Sequence, residues 1–409
     1  MTTYSDSGLR KPARGQRSND MRRTNMSMVL RRIMLSPGET RSETARALGL
    51  SAATGTNLVN ELIEFGLVRE LEPKTGVLGR PGVPLAIDGR RRAVLGIHLG
   101  PRTTGVAIVG FDGTEHVSVL VPHAGVPAPE ALEMVAGAAR DLVADCPAGV
   151  SIVGTGIASG GIVDRRAGTI VENPVAGWRD VDVRGQLSGR VPEPIIVEQN
   201  ARAAAQSELL YGYGKTASSF VLMVVTADVG SVSVHDGIIR AGYRQSAGNI
   251  AHLKVTERAI PCDCGRSGCL KAVATDDAVE RMAAEAGLAE VPEFADIVTR
   301  AADGDPVAAD VLGRRSRYVG RAAAILMDII DPEYLVIAGT VAETPQYLDM
   351  VRAEADLYAD SASNASARIV TSLSNEMSLT LFAATTIVAA ALDDPVGHLS
   401  TVDDAPGAR

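Results

Sequence analysis

Positive and negative charge are segregated along this chain, and the segregation divides it into two bodies of different chemistry. Residues 1–92 hold 16 Lys and Arg against 9 Asp and Glu, a net charge of +7. Residues 93–409 hold 24 basic and 40 acidic side chains, net −16, which brings the whole chain to −9. A basic head on an acidic body confines contact with a polyanion to the head. The length of 409 residues also exceeds what one core usually organises, so two or three domains are expected. Aromatic residues make up only 3%, so the cores must be built from Ala, Val, Leu and Ile. No apolar run reaches the roughly 18 residues that span a bilayer. Residues 1–23 are basic and polar and lack the apolar segment of a secretory signal. The expectation is a cytoplasmic protein with no membrane partner.

The head reads as helices with their own start and stop signals. Residues 1–20, rich in Arg, Ser and Gly, are expected to be a disordered basic arm. A helix over 22–35 follows, with Met26, Val29, Leu30, Ile33 and Met34 on one apolar face. Thr40 and Glu43 form a capping box for a short helix, Gly49 turns the chain, and Ser51 caps a helix over 52–65. Two helices joined by a short glycine-containing turn are the helix-turn-helix pattern. Strands over 68–71 and 83–87 then flank a loop containing Gly79-Arg80-Pro81-Gly82, a β-wing whose Arg suits a narrow minor groove. The expectation is a winged helix-turn-helix over 21–90 that binds double-stranded DNA. Arg41, Ser51, Thr54, Thr56, Asn57 and Arg80 are the candidate DNA contacts.

From residue 93 the chain alternates buried-strand runs (94–99, 104–109, 151–157, 194–198) with helical stretches (129–144, 201–211, 314–330, 379–392), an α/β body in two lobes. Three of the four cysteines fall within eight residues, Cys262, Cys264 and Cys269, too close and too odd in number for a disulfide framework. In a cytosolic chain that spacing points to a metal.

Several ordered segments resemble the ROK family of bacterial sugar kinases and sugar-responsive repressors. They are Leu95-Gly96-Ile97-His98-Leu99-Gly100, Gly161-Ile162-Val163-Asp164, Gly177-Trp178, Glu198-Gln199-Asn200-Ala201, Asp236-Gly237, Gly248-Asn249-Ile250-Ala251-His252 and Cys262-Asp263-Cys264-Gly265-Arg266-Ser267-Gly268-Cys269. The resemblance implies an actin/hexokinase-like (ribonuclease H-like) body. Lobe 1 would comprise 93–200 and 378–393, lobe 2 with the metal site 201–377, and residues 394–409 a disordered tail. It also implies a homodimer or homotetramer, and hence an inverted-repeat operator with half-sites one or two helical turns apart. His252, Cys262, Cys264 and Cys269 supply one imidazole and three thiolates, the ligand set of a closed structural Zn2+ site that would tie the segment of Lys271 to that of His252. The alternative is a set of buried free thiols.

The departures from the family's kinases decide the expected function. Its first phosphate loop, Asp-x-Gly-Gly-Thr, is matched here by His98, Leu99, Gly100, Pro101 and Arg102 or Thr103; a carboxylate has become His, and Pro101 has no N–H for phosphate. The second loop reads Thr226-Ala227-Asp228-Val229-Gly230, with a carboxylate where a triphosphate would sit. Asn200 stands at the position of the catalytic Asp, and an amide cannot accept a proton at neutral pH; the loss of such a base costs roughly 10²–10⁴ in rate. The two sugar-binding Glu positions carry Asn249 and Lys271. No catalytic residue is therefore assigned. Asn173, Gln199, Asn200, Asn249, His252 and Lys271 are the candidate effector contacts. Lys271, with Arg202, suggests a sugar phosphate or sugar acid; a neutral sugar and an empty, vestigial pocket are the alternatives. The expected function is a regulator, a repressor of carbohydrate-related genes. An active sugar kinase and a ligand-independent DNA-binding scaffold are the competing readings.

Overall fold

The head forms where the sequence supplies its own helix ends. Three helices, α1 (Arg14–Leu35), α2 (Arg41–Ala47) and α3 (Ala52–Glu64), precede a two-stranded antiparallel ribbon, β1 (Val68–Glu70) and β2 (Leu85–Ile87). Thr40 and Glu43 close the capping box in both directions, and the Ser51 hydroxyl accepts from the Thr54 N–H. Gly55, in mid-helix, is dictated by packing: a Cβ there would stand 2.6 Å from Ala45 Cβ, so glycine lets α2 and α3 meet. Met26, Val29, Leu30, Ile33 and Met34 form the buried face of α1, as the sequence pattern implies.

This computed structural model describes residues 14–73, 82–243, 247–288, 293–342, 344–360, 364–373 and 379–398. The first helix begins at Arg14 rather than near residue 22, so residues 14–20 are helical and not part of a disordered arm. The remainder of that arm and the wing tip with Arg80 lie outside the described residues.

The body contains the same sheet twice. In lobe 1, β3 (Arg92–Leu99), β4 (Thr103–Gly110) and β5 (Glu115–Pro122) make an antiparallel meander. Helix α4 (Ala128–Ala144) crosses to β6 (Ser151–Ser159), parallel to β3. A small antiparallel sheet of β7 (Ile162–Asp164), β8 (Thr169–Asn173) and β9 (Trp178–Asp182), with α5 (Val183–Leu187), leads to β10 (Ile195–Gln199), parallel to β6. Helix α6 (Asn200–Tyr211) passes to lobe 2, where β11 (Phe220–Val225), β12 (Val229–His235) and β13 (Ile238–Ile239) again form a meander. After α7 (Lys271–Ala274), α8 (Asp276–Glu285), α9 (Phe294–Ala302) and the long α10 (Pro306–Ile330), β14 (Tyr334–Ala338) pairs parallel to β11. Helices α11 (Pro345–Tyr358) and α12 (Ala365–Arg368) precede β15 (Ile369–Thr371), parallel to β14. The strand orders β10-β6-β3-β4-β5 and β15-β14-β11-β12-β13 are therefore equivalent.

The last helix, α13 (Leu379–Asp393), returns to lobe 1, where it packs on β3, β4, β6, α6 and α1. It is apolar on nearly all sides because it is covered on nearly all sides. A Cβ at Gly156 of β6 would lie 2.0 Å from the Ala383 carbonyl, so glycine is needed for α13 to rest on the sheet. Beyond it, residues 394–398 are placed against the head and are not a disordered tail: Arg23 meets Asp394 at 3.4 Å. Residues from 399 onward lie outside the described residues. Among the described residues no helix is long and apolar enough to cross a membrane.

Head and lobe 1 share one core. Met26, Val29, Leu30 and Ile33 of α1 cluster with Leu381, Ile387, Val388 and Leu392 of α13 and with Leu210 and Tyr211 of α6. Only residues 88–91 separate β2 from β3. At that junction Arg91 Nη1 donates to the Ile63 carbonyl at 3.1 Å and Arg92 Nε to the Phe65 carbonyl at 2.8 Å. These guanidinium groups satisfy carbonyls at the C-terminal end of α3 and complement its negative pole.

Candidate ligand pocket, metal centre and DNA-facing helix

A cavity of about 230 Å³ opens between the lobes. Lobe 1 contributes Gly161, Ile162 and Glu172, and the start of α6 contributes Gln199 and Arg202. Lobe 2 contributes Asp228 to Val232 from the β11–β12 hairpin, together with Asn249, His252 and Lys271. Gln199, Asn249, His252 and Lys271, four of the candidate effector contacts, are thus brought together.

Asn173 and Asn200, the other two amides expected as effector contacts, are not among the residues that line the cavity. Asn173, at the end of β8, is buried; its Oδ1 accepts from the Ala176 N–H at 3.2 Å and its Nδ2 reaches Ser159 Oγ at 3.5 Å. It holds a turn. Asn200 begins α6 with its Oδ1 enclosed and without a hydrogen-bond partner among the described residues. The sequence showed both residues in the right segments but not which way they turn.

Two of the lining amides are half-committed. Gln199 caps α6, its Oε1 accepting from the Arg202 N–H at 3.2 Å, and Asn249 Oδ1 accepts from the Ala251 N–H at 3.2 Å. Their amide nitrogens have no protein partner among the described residues and remain available as donors.

The cations are neutralised locally. Arg202 Nε donates to Glu198 Oε1 at 2.5 Å with both side chains largely buried, and Glu198 also meets Arg165 at 3.5 Å. Lys271 Nζ donates to Asp263 Oδ2 at 2.6 Å; that bond raises the lysine pKa and lowers the carboxyl's. Asp263 is a pocket-shaping residue that sequence reasoning passed over, although it sits between two proposed metal ligands. Glu172 is paired with Arg179. Asp228 is exposed, accepts from the Val229 N–H at 2.9 Å, and has no ion-pair partner among the described residues.

Elsewhere in the kinase-like framework, burial pushes the His98 imidazole down to about 4, so it is neutral at pH 7. The turn after β14 carries Gly339 and Thr340. Beside it, Phe294, Arg315, Thr340 and Tyr347 leave a space of about 10 Å³, about what one water needs. Arg315 fills the rest: it donates to the Ala274 carbonyl and Asp276 at 2.7 Å and to Thr340 at 2.8 Å, and its guanidinium lies 4.9 Å from the Phe294 ring centre. Gly177 and Trp178 line a separate groove of about 490 Å³ against the α4 N-terminus, not the cavity between the lobes.

His252, Cys262, Cys264 and Cys269 converge, with all candidate ligand atoms within 4.8 Å of one another. His252 Nδ1 lies 3.6 Å from Cys262 Sγ, and the sulfurs of Cys264 and Cys269 are 3.7 Å apart. Ligands at about 2.3 Å from a tetrahedral ion stand about 3.7 Å from each other, so the donor set and its spacing fit a metal ion. Arg266 donates to Cys264 and draws its thiol down to about 6, whereas burial pushes the Cys262 thiol up to about 12.

On the head, α3 presents Ser51, Thr56 and Asn57 to solvent while Leu58, Val59 and Leu62 face the core. Ser51 and Thr54 share a hydroxyl hydrogen bond at 2.8 Å. Arg41 is tied to Glu70 of β1 and to Asn60 at 3.2 Å, which fixes α2 against the ribbon.

The chain belongs to the ROK family, whose model matches residues 94–389. A glucokinase of Halalkalibacterium halodurans is 31% identical over 207 residues, spanning 47% of this chain and 62% of that enzyme. A transcriptional regulator of Mycobacterium tuberculosis is 28% identical over 344 residues, 80% of this chain and 76% of the relative. In fold, the chain resembles the crystal structure of a ROK family transcriptional regulator, a homologue of the Escherichia coli Mlc protein. That likeness has a TM-score of 0.77 at 23% identity and covers 93% of this chain and 98% of the other. The two-lobed body and its family are thereby established.

Proposed function

We propose that the protein is a cytoplasmic, sequence-specific DNA-binding regulator, a repressor of carbohydrate-related genes whose ROK body binds an effector without phosphorylating it. The observation that carries this reading is the head: a capped, polar-fronted α3 rigidly mounted on the body, in the part of the chain with net charge +7. Ser51, Thr54, Thr56 and Asn57 would approach base edges and phosphates, with Arg80 in the minor groove and Arg41 supporting α2. Homodimers or homotetramers would read an inverted-repeat operator.

The body supports a role without turnover. Asn200 occupies the position of the family's base, Asp228 stands in the second phosphate loop, and Arg315 fills the space beside Thr340. Zn2+ is the ion that the closed set of one histidine and three cysteines suits, holding Lys271 and His252 in register without an open position for chemistry.

Selection of bound fragments from genomic DNA tests the reading. An inverted repeat recovered by the wild-type chain and lost in Asn57→Ala is expected; salt-sensitive binding without sequence preference would overturn it. The glucokinase relative keeps a second reading in view, an ATP-dependent sugar kinase. A coupled phosphorylation assay over hexoses and amino sugars is expected to show no turnover, and turnover abolished by Asn200→Ala would establish the kinase instead.

A further inference from the structure

Both lining cations of the cavity are engaged by acids, so its chemistry is not the one its lysine suggests. Arg202 is held by Glu198 and Lys271 by Asp263, and neither acidic partner is among the lining residues. Of the lining acids, Glu172 is held by Arg179, which leaves Asp228 as the lining charge without an ion-pair partner among the described residues. Asp228 sits on the turn between β11 and β12, so the hairpin fixes its position. The uncommitted amide nitrogens of Gln199 and Asn249 offer donors suited to hydroxyl oxygens.

We infer that Asp228 is the specificity-determining residue of this cavity, and that the ligand is a sugar bearing a protonated amine, with phosphorylated and acidic sugars rejected. The inference rests on the reading that the cavity holds the effector. A ligand ammonium would give Asp228, which stands within electrostatic reach of Lys271 but in no close ion pair among the described residues, a hydrogen-bonded partner. A phosphate would instead meet the Asp228 carboxylate while Lys271 is held by Asp263 and Arg202 by Glu198. Like charges brought together in a partly desolvated cleft oppose binding, whereas a charge-assisted hydrogen bond favours it.

The test is calorimetric titration of the full chain with D-glucosamine, glucose and glucose 6-phosphate, in wild type and Asp228→Asn. Glucosamine is expected to bind roughly tenfold more tightly than glucose, with glucose 6-phosphate weakest. In Asp228→Asn the glucosamine preference should collapse and the phosphate penalty shrink, while glucose affinity changes little. Tightest binding of glucose 6-phosphate, or the same order of affinities in the variant, would overturn the inference. Absence of binding by every sugar would overturn it together with the effector reading. Operator binding by the same preparation is an independent readout, so DNA recognition would stand or fall separately.

Discussion

The two lobes share a strand order but not a task. Lobe 1 is continuous with the head through α1, α13 and the residue 88–91 junction. Lobe 2 carries the cluster of His252 and three cysteines and most of the cavity wall, including Asp228. Their equivalent hairpin turns carry opposite charges, Pro101-Arg102 in lobe 1 and Asp228 in lobe 2. On the proposed function, a repeated fold would separate what holds the reader of DNA from what recognises a small molecule. Helix α6 joins the two, beginning at the cavity with Gln199 and Arg202 and ending in the shared core with Leu210 and Tyr211.

Removing a metal ligand should produce the largest effect, and in lobe 2 alone. Cys269→Ser, at a buried sulfur, is expected to abolish metal content and cost about 4 kcal/mol, or roughly 10 °C in the melting of that lobe. Metal analysis with hydrogen exchange by region would check it; equal loss of protection in head and lobe 1 would break the separation. Next, Leu30→Ala in the shared core should cost about 3 kcal/mol and loosen the head and lobe 1 together. A head that frays while α13 keeps its protection would show that the core is not shared in solution.

Acid should also act on lobe 1. His98 titrates near 4 in the fold and near 6.5 when unfolded, so the unfolded chain binds the extra proton first. Stability is therefore retained above about pH 6.5 and lost as pH falls towards 4, by up to about 3 kcal/mol. Denaturant midpoints against pH measure the slope, and His98→Gln should flatten it. Smallest of all, Arg31→Ala, which opens a surface pair with Asp393, should change stability by less than about 1 kcal/mol. A larger loss, read from the same denaturant titrations, would mean that the rim of the head–body contact matters as much as its core.

Local features were the legible ones. The Thr40–Glu43 box and the Ser51 cap specify helix starts within four residues, and the spacing of His252 and the cysteines announced a cluster. Gly55 is a local feature too, but that it marks a close helix crossing emerges only from the fold. The sheet repeat was hidden because β11 and β12 lie beside a loop read for its phosphate chemistry and not for its strands. The shared core was hidden because it joins residues more than 350 positions apart, such as Leu30 and Ile387. The charge of the cavity was misleading in sequence: Lys271 and Arg202 look like an anion site until Asp263 and Glu198 are seen to hold them.

The junction at Arg91 and Arg92 has a geometric consequence. With its closing carbonyls gripped by residues at the entry to the body's first strand, α3 has no slack. The distance between two such helices in an assembly would then be an attribute of how the bodies abut, like the fixed span of a calliper. On that view an effector need not detach the head to release DNA. A small rotation at the contact between bodies would suffice to throw the two points of the calliper off the helical repeat.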